Sequence, residues 1–262
     1  KPRTGGWEFV ESQLTATGMT VDRSQCYFVG DGAGRKVPVV KKKDFGDSDL
    51  KFALNLKVPF ATPEECFLGQ HQEYDKVFDD FDPHRLGLSP TPLHFGSVES
   101  QEMVIVIGAP GSGKSTYSKG VFGDYCRVNR DTLKTPAKCL KVTKAALEEG
   151  KSVVVDNQSR ARKDRVQYLA AAKAAGVPCR AVFLDVPKEF CFHMNEYRKL
   201  CSASPEHRDQ RVPAMVIHAF YKNLELPKAG DAEGFTEVIK VGLEHVKLVG
   251  SESELQMIRM HL

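Results

Sequence analysis

The run Gly108-Ala109-Pro110-Gly111-Ser112-Gly113-Lys114-Ser115 follows the apolar stretch Met103-Val104-Ile105-Val106-Ile107 and leads into a helix-forming segment. Few architectures hand a buried strand to a helix through such a loop. It has the Walker A pattern, in which glycines let successive backbone N–H groups turn toward phosphates. Lys114 would reach the β and γ oxygens, and the Ser115 hydroxyl would ligate Mg²⁺. A nucleoside triphosphate is the expected ligand.

Beyond this loop the periodicity alternates. After the strand at 103–107 and the helix from Lys114, the pattern predicts a strand at 125–128 and a helix at 136–149, with Pro136 at its start and Gly150 past its end. A strand at 153–155, a helix ending before Gly176, a strand at 180–184, a helix at 188–200 and another from Pro213 follow. Thr236 to Val241 alternates like a last strand. Such βαβ repetition implies a parallel sheet covered by helices. Turn formers gather between Gln70 and Ser100, including Asp82-Pro83, Ser89-Pro90, Thr91-Pro92 and Gly96-Ser97, so residues 71–100 read as a linker between a unit at 1–70 and one at 101–262.

Composition narrows the class further. With 41% hydrophobic and 27% charged residues in 262, the chain suits a soluble globular fold, with no run of membrane-spanning length and no secretory leader expected. Cytosol or nucleus follows. Seven scattered cysteines form no C-x-x-C pair and are expected as reduced thiols. No pair of histidines has metal-ligand spacing. A net charge of +3 says little, because the acidic stretch Asp75 to Asp82 offsets basic clusters elsewhere.

In open parallel sheets the ligand lies beyond the carboxyl ends of the strands, so polar residues there are candidates for chemistry. Asn129-Arg130-Asp131-Thr132, Asp156-Asn157-Gln158 and Asp185 occupy such ends. Each carboxylate could hold a metal, act as base for a substrate hydroxyl, or cap a helix. Lys134, Lys138, Lys141 and Lys144 along one helix, and Arg160, Arg162, Lys163 and Arg165 after Asp156-Asn157, suit phosphate contacts with a polyanion. Phe190, Phe192 and Tyr197 are expected to pack rather than to stack on bases.

Through nearly all of 103–241 the chain resembles the P-loop 5′-hydroxyl kinase domain of the polynucleotide kinase 3′-phosphatases. The likeness rests on Gly108 to Thr116, Val128-Asn129-Arg130-Asp131-Thr132-Leu133, Ala146-Leu147 to Gly150-Lys151, Asp156-Asn157, Ala174 to Arg180, Tyr221-Lys222 and Glu233-Gly234-Phe235. The resemblance implies that ATP with Mg²⁺ is bound by Gly108, Ala109, Pro110, Gly111, Ser112, Gly113, Lys114, Ser115 and Thr116. It implies that Asp131 is the general base toward a 5′-OH, and that Arg130 and Asp156, with Asn157, Arg160 and Arg162 nearby, orient the substrate end. The family's Asn-x-x-Arg pattern stands here as Asn195-Glu196-Tyr197-Arg198, making Arg198 the lid arginine on ATP phosphates with Asn195 on the same helical face. Glu196 stands where animal members carry another arginine.

The first seventy residues resemble the C-terminal part of the same family's haloacid-dehalogenase-like phosphatase, through Tyr27 to Arg35, Lys41 to Phe45, Phe52 to Leu56 and Pro59 to Glu65. There Asp31 would hold Mg²⁺, assisted by Asp44 or Asp49. The family's D-x-D-G-T nucleophile motif is absent. Asp47-Ser48-Asp49 and Asp80-Phe81-Asp82 share its spacing, but neither follows an apolar strand nor precedes Gly-Thr. The chain therefore reads as a fragment whose phosphatase half a second chain would complete.

The expected fold is α/β: a P-loop kinase sheet preceded by part of a haloacid-dehalogenase-like domain. The expected function is ATP-dependent phosphorylation of 5′-hydroxyl ends of DNA in the healing of strand breaks, with RNA a further substrate class and the nucleus the expected place. A small-metabolite P-loop kinase and a non-catalytic DNA-end scaffold are the alternatives.

Overall fold

The computed structural model describes residues 2–74, 81–87, 91, 100–201, 212–246, 248 and 250–262. Much of the expected linker at 71–100, and of the acidic stretch 75–82, lies outside them. Two compact units are present, Lys1–Arg85 with Gly250–Leu262, and Leu86–Val249. The last residues thus group with the amino-terminal unit, where the sequence reading put them at the end of the second.

The first unit contains α1 (Gly5–Ala16), β1 (Phe28–Val29), α2 (Ser48–Leu56), β2 (Phe60–Ala61), α3 (Pro63–Leu68) and, from the C-terminal segment, α10 (Glu252–Ile258). β1 and β2 pair in parallel, Phe28 opposite Phe60. A small core forms where Phe52, Ala53, Leu56 and Val58 pack with Trp7, Phe28 and Phe60. Reciprocal side-chain bonds between the cap and the third helical residue start α3, at Thr62 and Glu65, and α10, at Ser251 and Glu254.

The second unit is a five-stranded sheet built from β3 (Met103–Ile107), β4 (Cys126–Val128), β5 (Val153–Asp156), β6 (Cys179–Leu184) and β7 (Glu237–Val241), in the order β4-β5-β3-β6-β7. All four pairings are parallel. The three inner strands are buried throughout and apolar but for Asp156 and Arg180, as a parallel sheet covered on both faces requires, whereas β7 at the edge is buried only at Val241. Val104, Val106, Val154, Val182 and Leu184 share one core with Phe122.

The crossovers are α4 (Lys114–Val121), α5 (Arg130–Leu133), α6 (Pro136–Glu148), α7 (Arg162–Ala175), α8 (Lys188–Cys201) and α9 (Ala214–Lys222). Thr135 caps α6, whose first residue is Pro136, and Gly176 ends α7 in the left-handed conformation at φ +69°. These bounds lie within a residue or two of those the periodicity predicts. The short α5 was not foreseen. It exists because Asn129 at the end of β4 accepts the backbone N–H groups of Asp131 and Thr132, which leaves Lys134 outside α6 at φ +70°. Lys134 therefore does not share a helix with Lys138, Lys141 and Lys144.

Candidate active site

The carboxyl ends of β3, β4 and β5 open into a cleft of about 900 Å³. Its floor is the loop between β3 and α4. Gly111 and Gly113 take φ +87° and +89°, a region that side-chain-bearing residues avoid. A Cβ on Gly111 would come within 2.6 Å of the Cys191 carbonyl oxygen on α8, so the loop lies against that helix with no room to spare. Pro110, Gly111, Gly113, Lys114 and Ser115 line the cleft. Gly108, Ala109 and Ser112 lie beneath and are buried, while Thr116 is exposed and turned away from the lining.

Lys114 donates to the Ala109 carbonyl at 2.8 Å, its own loop standing in for a phosphate. Burial lowers its ammonium to about 8, against the attraction of Asp156; Arg198 and Asp131 also act on it, so these charges converge on one place.

The walls come from β4 and β5. Asp156, 2% exposed, receives Arg127 through Nε at 2.9 Å and through Nη2, and Asn129 Nδ2 at 3.3 Å, all on Oδ2. Its other oxygen, Oδ1, is buried without a hydrogen-bond partner among the described residues. A carboxylate oxygen held dry at a cleft wall is costly unless a ligand, cation or hydroxyl meets it. Asn129 Nδ2 also donates to the Asp156 carbonyl at 2.8 Å, and Asn157 Oδ1 accepts Arg130 N–H at 2.8 Å, which knits the two strand ends together. Arg130 and Asp131 are exposed on the rim. Because Asn129 caps α5, Asp131 has no capping duty. Lys134 and Ser159, both on the lining, hold positive φ, the kind of strain that clusters at working sites.

Several expected residues do other work. Asn195 is buried, and its amide is committed to Val212: Nδ2 donates to the carbonyl at 2.9 Å and Oδ1 accepts the N–H at 3.0 Å. It steadies α8, whereas Arg198 on the same helix borders the cleft. Arg160 and Asn157 line the cleft, but Arg162 does not. Arg165 is fully buried, paired with Glu233 at 2.6 Å and bonded to the carbonyls of Ser159, Arg160 and Glu225, so it meets no polyanion. The sequence reading missed Arg127, Gln167 and Tyr168. Arg127 could have been found from in-register pairing, since Val128 lies opposite Val155 beside Asp156.

The donor set suits Mg·ATP. A loop whose glycines take φ +87° and +89° beside the cleft, the Ser115 hydroxyl and the unmatched Asp156 oxygen are what a phosphate-bound cation and its water shell need. In the first unit, Asp31 is exposed just past β1. Asp49 packs under the adjoining turn, its Oδ2 accepting Gly32 N–H at 2.9 Å, but Asp44 is taken up by Arg35 at 2.9 Å and is not open to a metal. Cys26, Cys66, Cys126, Cys139, Cys179 and Cys191 carry free thiols. No described helix is long and apolar enough to cross a membrane.

The family model for polynucleotide kinase 3 phosphatase matches residues 1–67, and one described as an AAA domain matches 103–227. A bifunctional polynucleotide phosphatase/kinase of Schizosaccharomyces pombe is 35% identical over 252 residues, which cover 94% of this chain and 58% of that protein. A putative bifunctional polynucleotide phosphatase/kinase of Acanthamoeba polyphaga mimivirus is 32% identical over 257 residues, covering 87% and 59%. A polynucleotide 3′-phosphatase of Saccharomyces cerevisiae is 43% identical over 75 residues, covering 26% and 29%. The chain thus spans somewhat over half the length of the first two relatives.

Proposed function

As a relative of the bifunctional polynucleotide phosphatase/kinases along 94% of its length, this chain, we propose, transfers the γ-phosphoryl group of ATP to the 5′-hydroxyl end of a nucleic acid strand. The observation that carries the reading is one cleft lined together by the phosphate loop, Asp131, Asp156 and Arg198. A small-molecule kinase would share these groups. A rim bearing Arg130, Lys134 and Arg160 is suited to a charged strand.

In this reading the loop N–H groups and Lys114 hold the β and γ phosphates, and Ser115 would hold Mg²⁺, which would supply charge neutralisation there. Asp131 takes the proton as the 5′ oxygen bonds to phosphorus and the bond to the β–γ bridging oxygen breaks. Phosphoryl transfer passes through a loose transition state, so positioning and charge matter more than base strength. Lys114 and Arg198 offset the charge that develops on the departing ADP. Arg130, Asn157 and Arg160 orient the strand end together with Asp156, whose dry oxygen faces the same cleft. DNA ends in the nucleus are the proposed setting.

The test is transfer of labelled γ-phosphate to an oligonucleotide ending in 5′-OH, with the 5′-phosphorylated form and gluconate as controls. Labelling of the 5′-OH strand alone is expected. Labelling of gluconate with none on the strand would overturn the reading.

A further inference from the structure

Outside the cleft, the described residues hold one cluster of metal-ligating type. Asp82, His84 and His261 each bring a donor atom within 4.8 Å of the other two, although two lie at the far end of the first unit's leading segment and one in its C-terminal segment. Each is held by its surroundings. Asp82 Oδ1 accepts the His84 N–H at 3.0 Å at the start of the 3₁₀ turn Pro83–Arg85, and lies 3.2 Å from His84 Nδ1. His261 is 4% exposed, and Asn55 fixes its backbone from both sides, accepting its N–H at 2.8 Å and donating to its carbonyl at 3.0 Å. The two imidazoles meet edge to face with centroids 4.9 Å apart.

We propose that Asp82, His84 and His261 form a binding site for a divalent transition ion of the zinc class, which fastens the C-terminal segment to the residues before Arg85. Two imidazoles and one carboxylate suit zinc and its neighbours, whereas Mg²⁺ and Ca²⁺ prefer oxygen throughout. Bonds of about 2.0–2.1 Å around a tetrahedral ion set neighbouring ligand atoms roughly 3.3 Å apart. Rotation of the half-buried Asp82 and His84 side chains toward the anchored His261 closes that gap. A water would complete the shell.

The test uses the whole chain without a histidine tag or nucleotide, titrated with Zn²⁺ against a chromophoric chelator and separately with Co²⁺. One equivalent of zinc should bind, with a saturable rise in Tm of about 2–4 °C. His84→Ala and His261→Ala should each weaken binding at least about tenfold, while His71→Ala should not. Circular dichroism of His84→Ala, at a half-buried position, checks that the fold survives. Cobalt should show d–d bands without thiolate charge transfer. Absence of stoichiometric binding, unchanged affinity in His84→Ala, or a strong sulfur-to-cobalt band placing the ion on cysteines would each overturn the proposal.

Discussion

Lys114 is charged where burial opposes charge, and this makes nucleotide binding sensitive to pH. Its folded-state value of about 8 lies below the ordinary 10.5, so between these values the unfolded chain binds more protons. Stability of the nucleotide-free chain should therefore rise with pH across that window, as Lys114 loses its charge in the fold. Phosphates restore the charge, so ATP binding above pH 8 should take up a proton and weaken as pH climbs. Calorimetry in buffers of different ionisation enthalpy checks this, and no proton uptake at pH 9 would refute it. Lys114→Ala should abolish transfer even at saturating ATP, since the cation acts on the transition state. Asp131 makes a second test. Asn129 supplies the helix cap, so Asp131→Asn should leave Tm and ATP affinity unchanged while single-turnover transfer falls by roughly 10²–10⁴. A rate within a few-fold of the parent would remove Asp131 as base. The sequence pattern brought out Lys114 through the Walker A loop and Asp131 through its place just past the end of β4, but it misassigned Arg165 and Asn195, whose types suit a polyanion or nucleotide equally well from outside. Their partners, Glu233 and Val212, lie 68 and 17 residues away in sequence.

At the scale of elements, the loop and α8 depend on each other. Gly111→Ala places a methyl group 2.6 Å from the Cys191 carbonyl at φ +87°, a clash with backbone that no rotamer relieves. A loss of about 1–3 kcal/mol is expected, with weaker ATP binding, measured by chemical denaturation and nucleotide titration. Gly113→Ala meets no atom within 4 Å and should cost less, which separates the contact from the strain of positive φ. Arg165 pins the start of α7 to the segment before β7. Arg165→Ala leaves Glu233, whose side chain is 3% exposed, as a buried charge without its partner, and should cost about 3–5 kcal/mol. Helix and strand bounds were readable because apolar periodicity, Pro136 and Gly176 act locally. The four-residue α5 was not, because it has no periodicity and exists through one asparagine cap.

For the whole chain, phosphatase chemistry provides the test. Asp31 and Asp49 adjoin one turn past β1, yet no D-x-D-G-T motif precedes them in this sequence. The purified chain alone should release no phosphate from a 3′-phosphorylated oligonucleotide, and release by the single chain would show that another carboxylate serves as nucleophile. The Walker A loop, the alternation of strand and helix and the order of motifs along 103–241 were settled by sequence, since each is a local pattern of side-chain type, backbone freedom and period. What only the tertiary structure decided were pairings across distance. They include Arg127 on Asp156, Asn55 on His261, the grouping of Gly250–Leu262 with the first unit, and the meeting of Asp82, His84 and His261. A single sequence read for local pattern holds no term for such encounters, because burial and hydrogen-bond partners arise only when the chain has folded back on itself.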